Sequence, residues 1–513
     1  MGVIVRQSIK STLINYLGSF IGFVTTFFII TRYLTPAEVG FARVFFDTAF
    51  LFASLAQLGT SASVMRYYPY FKNSEKKDHG FFFWTLLVPL VGFLLFLVVF
   101  FLFKGTFIHI FSKNASLLVD YYDYLVPMSF FLLYIAVFET NSNVLMRIAV
   151  PKFIREVLVR VLMILVYLLY GFKVISLRQF VIDYCVVYLI ALVCNIIYQF
   201  KLKKVSLKPD MSIITPPLRK DFLFYTGFLV VSSVSGLITT SISSLAVSAK
   251  MNLDYAGILT VAGYIATIVE IPYRSLSAIA SPNISIAIKN DDKQTANNLC
   301  QSVSLHQLLA GSLVFYVIWI NIDVIYQILP NGDIYAAGKW AVLAICLYRL
   351  FNSVCGIGPS VLGYSRYYYL TLIFTILLTC STFVFTLWWI PYWGIVGAAF
   401  ATFVSFIIYY TSLLWVVKRK MAVTPFSFPQ LKVVGLLLAL FLLNAAWEYS
   451  LAPVFAKLPL QPFWCNILNR LSCTLLMLVI AIFAIYKMKI SEQVNMLIRR
   501  GLKKTGISIE IGK

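Results

Sequence analysis

Charge is scarce in this chain. Only 12% of its 513 residues are charged, where a soluble protein carries roughly 25%, and 60% are hydrophobic. A soluble globular enzyme is excluded on that ground. Acid is scarcer than base, 20 Asp and Glu against 42 Lys and Arg, and the three histidines, His79, His109 and His306, are scattered along the chain. That scatter points away from a metal site or a histidine-centred dyad, and no metal ligand set is predicted. The eight cysteines form no CxxC pair and have no His nearby at zinc spacing. They fall mostly inside apolar runs and read as packing residues. No GxxxxGK[ST] sequence occurs, so ATP hydrolysis by a P-loop is excluded as well. What the chain has in abundance is bulk: 44 Phe and 31 Tyr, rings that must be buried in protein or lipid and that argue against disorder.

The bulk is organised in runs. A bilayer core about 30 Å thick needs roughly 20 apolar residues per helix. About fourteen such runs emerge, near 8–33, 40–68, 81–103, 121–145, 153–172, 177–200, 221–247, 254–279, 297–320, 335–360, 367–389, 394–417, 431–450 and 463–486. They are continuous rather than alternating, which predicts an all-α polytopic membrane protein and not a β-barrel. No polar domain separates them, so the chain reads as one integral membrane domain. The first run is too long for a signal peptide and lacks a small-residue cleavage site, so it is expected to be a retained first helix.

The net charge of +22 is topological rather than a nucleic-acid surface, because the basic residues lie between the apolar runs. With fourteen spans, one side of the membrane carries 29 Lys and Arg and the other 8. Both termini are therefore expected in the cytoplasm. The remaining arginines, Arg43, Arg160, Arg274, Arg349 and Arg470, fall within predicted spans. Beyond the last span, Lys487–Lys513 combines basic residues with Ile490, Val494, Leu497 and Ile498 about a turn apart, an interfacial amphipathic tail that anionic lipid would attract.

A weak internal repeat sets the expected organisation. An offset of about 217 residues lays Leu34–Gly40 (LTPAEVG) over Met251–Gly257 (MNLDYAG), each a short link with an acid and a closing Gly, and brings Gly394 near Leu177. The natural decomposition is a six-helix lobe at 1–205, a second at 206–420, two extra transmembrane helices at 421–486 and the basic tail at 487–513. Six is even, so both lobes keep one orientation about an axis along the membrane normal, with a cavity between them.

Ionisable groups inside a bilayer cost about 2.5–3.5 kcal/mol each on insertion scales, so they seek a partner or a water-filled cavity. Arg43 and Asp47, Glu156 and Arg160, and Glu270 and Arg274 are each spaced i,i+4 and can meet on one helix face. A self-neutralising pair that merely eases insertion is one reading. The other is a binding site, since guanidinium stays charged and grips phosphate oxygens bidentately. Glu139, Asp183, Arg349, Glu448 and Arg470 have no i,i+4 partner. Arg349, in mid-run, joins Arg43 and Arg274 as a candidate cation of an anion-binding cavity, with Asp47 and Glu270 as charge partners. Arg66 reads as an interfacial residue. Pro89, Pro127, Pro272, Gly92, Gly227, Gly236, Gly263 and Gly311 are hinge or close-packing candidates, and His306 reads as a hydrogen-bonded interior histidine.

The stretch Asn15–Pro69 carries a pattern, with RYLTPAEVG at the first turn and LGTSASVMRYYP at its close, and GIVGAAFAT follows at Gly394–Thr402. It resembles the polysaccharide flippase family of the multidrug/oligosaccharidyl-lipid/polysaccharide exporter superfamily. The resemblance implies a fourteen-helix transporter of two six-helix lobes. Such a protein would move undecaprenyl-diphosphate-linked oligosaccharide (O-antigen, capsule or exopolysaccharide units, as in lipopolysaccharide biosynthesis) from the cytoplasmic to the periplasmic leaflet of a bacterial inner membrane by alternating access. Its partners would be that lipid-linked oligosaccharide, membrane lipids and other polysaccharide-assembly proteins, with no nucleic acid. No cofactor is implied; Asp47 and Glu270 are compatible with coupling to a proton or sodium gradient. The alternatives are a drug or small-molecule antiporter of the same superfamily, which would favour buried acids, and a membrane polymerase or glycosyltransferase. The latter needs a large outer loop, and the outer loops here are all shorter than about 20 residues.

Overall fold

The computed structural model describes residues 3–71, 80–202, 216–456, 459 and 461–504, and these are mostly helical, joined by short turns, with no strand among them. In chain order α1 is Val3–Val24, α2 Pro36–Ala56, α3 Phe81–Leu102, α4 Leu125–Val144, α5 Val159–Gly171, α6 Leu177–Lys201, α7 Pro216–Lys250 and α8 Leu253–Thr267. They continue as α9 Ile271–Lys289, α10 Lys293–Ile320, α11 Lys339–Cys355, α12 Leu370–Met421, α13 Phe428–Ser450, α14 Pro462–Lys487 and α15 Glu492–Lys504.

Among the described residues, eleven helical stretches are long and apolar enough to cross a membrane. One of them, α12, is two expected spans run together: at Gly394 the backbone takes φ 56° and ψ −134°, outside the helical region and open to glycine alone. The other two expected spans are α7 and the stretch formed by α5 with the π-turn Ile154–Leu158 before it. All fourteen are thus helical among the described residues. The second differs from expectation. It starts at Pro36 and stops at Ala56, because Leu58 and Gly59 turn left-handed at φ 48° and 68°, and a separate helix, Thr60–Phe71, follows. Large apolar side chains stand exposed along whole helix faces, among them Leu94, Leu95, Val98 and Leu102 on α3 and Leu475, Val479 and Ile482 on α14. Such faces suit acyl chains and not water. The chain is a multi-pass membrane protein.

Polar residues at the links start the helices. Thr35 and Glu38 form a capping box at α2: the Glu38 amide donates to Thr35 Oγ1 (3.3 Å), and the Thr35 amide to Glu38 Oε2 (2.8 Å). Asn252, which the offset lays on Thr35, caps α8 by accepting from the Tyr255 amide at 3.0 Å. The correspondence extends to packing. A Cβ added to Gly40 would lie 1.9 Å from the carbonyl oxygen of Leu253, and one added to Gly257 would lie 2.0 Å from that of Pro36. The two contacts are the same contact seen from either repeat, the reciprocal arrangement a local two-fold axis produces.

By packing, the chain divides into two compact units. The first comprises the described residues of Met1–Val261 with Thr375–Ala398, and the second those of Ala262–Phe374 with Ala399–Lys513. In the first, α2 lies against α3, α4 and α7, and α6 against α4 and α5. Its core includes Phe41, Phe45, Leu118, Leu125, Met128 and Leu133. In the second, α10 packs on α9, α11 and α13, and α13 on α14.

Candidate functional site

In the first unit the predicted pair forms. Arg43 Nε donates to Asp47 Oδ2 at 2.9 Å, and Ser244 Oγ on α7 donates to the same oxygen at 2.7 Å. The carboxylate is buried, 6% exposed, while the guanidinium beside it is 36% exposed. Sequence reasoning missed Ser244. The signal was present in the hydroxyl-rich stretch SSVSGLITTSISS of α7, which also places Thr239 against Thr379, 2.9 Å between their hydroxyl oxygens.

In the second unit the chain brings together Glu270, Arg274 and Arg349. Glu270 closes a short 3-10 turn, Ile268–Glu270, and precedes the first residue of α9, so its carboxylate sits where Arg274, one turn on, can reach it. Arg274 does so loosely: its Nη2 lies 3.6 Å from Glu270 Oε2, beyond hydrogen-bond range, and its side chain is 63% exposed. Arg349 on α11 is the tighter partner, its Nη1 donating to the same Oε2. Arg349 is 24% exposed and Glu270 11%. The Arg349 guanidinium also lies over the Tyr348 ring, 5.1 Å from its centroid, and its buried Nε meets no acceptor among the described residues. Behind it stand Phe406, ring to ring with Tyr348 at 4.5 Å, and Tyr410, whose hydroxyl donates to Asn352 Oδ1 at 2.5 Å. Two guanidiniums thus share one carboxylate, and the cluster carries one net positive charge. Chemically it can hold an anion, and Arg274 is the arm with room to do so.

The remaining charges inside the helices are spent on structure. Arg160 donates to Glu156 at 2.8 Å and to the Gly18 carbonyl at 2.5 Å. Gly18 and Gly22 on α1 make the space: a Cβ on Gly22 would fall 2.1 Å from Arg160 Nη1. Here a GxxxG stripe seats an ion pair as well as a helix, a use the sequence reading did not foresee. Arg155 pairs with Glu139 at 2.8 Å and Arg470 with Glu448 at 2.5 Å, while Asp183 accepts from Gln179 Nε2 at 2.7 Å. His306 is the interior histidine expected. Its Nδ1 donates to the Ser302 carbonyl (2.6 Å), which leaves Nε2 to accept from Ser491 Oγ (2.9 Å). No group of three metal-ligating side chains occurs among the described residues. Of the eight cysteines expected to be packing residues, Cys185, Cys300, Cys346, Cys355, Cys465 and Cys473 are buried and Cys194 is half-buried, whereas Cys380 on α12 is exposed. Gly92 is a close-packing glycine, since a Cβ there would meet the Ala56 carbonyl at 2.1 Å. His79, Lys72, Lys76, Lys77, Lys203, Lys204, Lys208 and the tail beyond Lys504 lie outside the described residues, as does the side chain of Arg66.

Comparison with known proteins bears on what this arrangement serves. The sequence model of a family described as polysaccharide biosynthesis protein matches residues 4–285, more than half of the chain. Among solved structures, the chain is similar to lipid II flippase MurJ in an inward closed conformation, with a TM-score of 0.66 at 15% identity over 93% of this chain and 98% of that one. It is also similar to an inward-facing multidrug resistance MATE family transporter of the MOP superfamily, with a TM-score of 0.60 at 15% identity over 82% and 98%. For the Vibrio cholerae MATE transporter VcmN in the bent form the values are 0.50 and 10%, over 82% and 98%. None of the curated proteins compared matches the chain in sequence. At these identities the structural likeness shows the fold, and the family model supplies the kinship that the pattern at Asn15–Pro69 announced. This multi-pass membrane protein belongs to the polysaccharide biosynthesis protein family and has the fold of the exporter superfamily that includes MurJ and the MATE transporters.

Proposed function

We propose that the chain is a transporter that flips undecaprenyl-diphosphate-linked oligosaccharide repeat units, of O-antigen, capsule or exopolysaccharide, from the cytoplasmic to the periplasmic leaflet of a bacterial inner membrane. Family membership and the flippase fold support transport over catalysis. The observation that carries the reading is the Glu270 cluster, where one carboxylate faces two guanidiniums and Arg274 keeps most of its surface open. A diphosphate is the ligand such a surplus of fixed cation suits. Arg274 is its first contact in this reading, Arg349 and Glu270 position that arm, and Arg43 with Asp47 does the corresponding work in the other repeat. The lipid tail stays in the bilayer while the sugar diphosphate crosses between lobes at 1–205 and 206–420, with 421–486 and the tail from 487 appended. Both termini are cytoplasmic.

A drug or small-molecule antiporter is the second reading, supported by the MATE-like fold. Against it stands the charge balance at Glu270, which repels a cation. Energy coupling follows from the same pairs: a proton on Asp47 or Glu270 releases an arginine for phosphate, so translocation into vesicles responds to an imposed ion gradient, and indifference to every gradient removes this coupling. The decisive experiment deletes the gene and identifies what accumulates. A lipid-linked oligosaccharide retained on the cytoplasmic leaflet, cleared by the wild-type chain and not by Arg274→Gln, is the expected result. Normal clearance in the deletion strain, or glycosidic bond formation by the purified protein, overturns it.

A further inference from the structure

In the second unit, where α9 ends and α10 begins and where α12 both begins and ends, lies a cavity of about 320 Å³. Its size falls within the roughly 300–1,000 Å³ of small-molecule sites. Its wall carries charge of both signs: Arg366, Lys420 and Lys293 on one hand, Asp291 and Asp292 on the other. The cations are organised around Tyr367. Arg366 lies 4.9 Å from that ring's centroid and Lys420 5.8 Å, and Arg366 Nη2 donates to the Tyr367 hydroxyl at 2.8 Å. The acids differ in their engagement. Asp292 caps α10, accepting from the Thr295 amide at 3.0 Å, and that backbone hydrogen bond holds its carboxyl below the usual range. Asp291 sits in the left-handed region at φ 53° and meets Lys293 only at 3.9 Å.

Four helix ends converge at the cavity; exposed Tyr368 and Tyr369 follow its lining residue Tyr367 in the chain, and exposed Trp415, under Arg419 at 5.3 Å, precedes Lys420 on α12. Aromatic rings mixed with Lys and Arg at helix ends mark the depth of lipid headgroups. A simple anion entering here would meet two carboxylates, and a simple cation three bases. A molecule carrying a phosphate beside a primary ammonium satisfies both sets. We propose that this cavity binds the phosphoethanolamine headgroup of a membrane phospholipid, with Arg366 and Lys420 at the phosphate and Asp291 at the ammonium.

The test reconstitutes the full chain in nanodiscs of phosphatidylglycerol mixed with either phosphatidylethanolamine or phosphatidylcholine, then counts retained lipids by native mass spectrometry after detergent extraction. Phosphatidylethanolamine is retained about tenfold over phosphatidylcholine, whose methylated nitrogen has no hydrogen to donate to Asp291, and over phosphatidylglycerol. Arg366→Gln with Lys420→Gln lowers retention about tenfold, and Asp291→Asn abolishes the preference for ethanolamine over glycerol. These side chains are exposed, so helix content measured by circular dichroism stays unchanged in the variants. Soluble glycerophosphoethanolamine has the same chemistry without acyl chains. Its failure to displace the lipid is expected, and binding as tight as the lipid's overturns the assignment to a membrane lipid. Equal retention of all three lipids, or full retention in the double variant, overturns the site. The readout requires no translocation and stands apart from the flippase reading.

Discussion

Glu270 and its two arginines show what one side chain can and cannot reveal about another. The pairing of Glu270 with Arg274 was legible because four residues on a helix are one turn. The stronger partner, Arg349, is 79 positions away and comes within reach only when α11 packs beside the turn before α9. The two arginines should therefore respond differently to neutralisation. Arg349→Gln leaves a nearly buried carboxylate with a single loose partner and is expected to lower stability by about 2 kcal/mol, read as a fall in the melting temperature of the detergent-solubilised protein. Arg274→Gln is expected to move stability by less than about 0.5 kcal/mol, because the side chain is mostly exposed, while transport falls at least tenfold. Equal melting temperatures for both variants would show that the two guanidiniums are interchangeable. Ser244 teaches the converse. The hydroxyl-rich stretch of α7 did not single out Ser244, because serine in a membrane helix also bonds its own backbone, as Ser244 Oγ does 2.9 Å from the Ser241 carbonyl, and only the approach of α7 to α2 brings the acid within reach.

At the scale of helices, the starts of α2 and α8 come into backbone contact. Gly40 and Gly257 each leave room for the other repeat's backbone carbonyl, with no flexible side chain between them to yield. Gly40→Ala and Gly257→Ala are each expected to cost about 1–3 kcal/mol, and by similar amounts, since the contacts are reciprocal. The double variant should cost less than the sum, because separating the helices for one methyl makes space for the second. Thermal unfolding of the three variants checks this, and additive losses would mean the contacts are independent. Helix starts were otherwise well marked in the sequence, by Thr35-Pro36 before α2 and Ser176 before α6. Interruptions were less so. The break at Leu58 and Gly59 falls inside a continuous apolar run, and hydropathy does not register a change of backbone hand. The π-turn at Ile154–Leu158 is equally silent, since it shifts which face carries Glu156 without altering composition.

For the molecule as a whole, the count of basic residues makes a topological prediction. Reporter fusions at Lys104, Lys173, Lys250 and Lys339 should read as extracytoplasmic, and those at Lys201, Lys289, Lys418 and Lys487 as cytoplasmic. Alkaline phosphatase activity in the first set and its absence in the second is the expected outcome, and the reverse pattern would invert the proposed direction of transport. The all-helical class, the membrane setting and the family were available from the chain alone, because hydropathy is a property of consecutive residues and the link LTPAEVG is a local pattern. So were the three i,i+4 ion pairs, for the same reason. Which charges remain unspent was decided by tertiary structure: Arg349 is taken up by Glu270, Arg160 is further held by the Gly18 carbonyl, and Arg274 is left open. Ion pairs depend on distance in space, and in a bundle of long helices the nearest opposite charge is set by helix packing, which no stretch of consecutive residues contains.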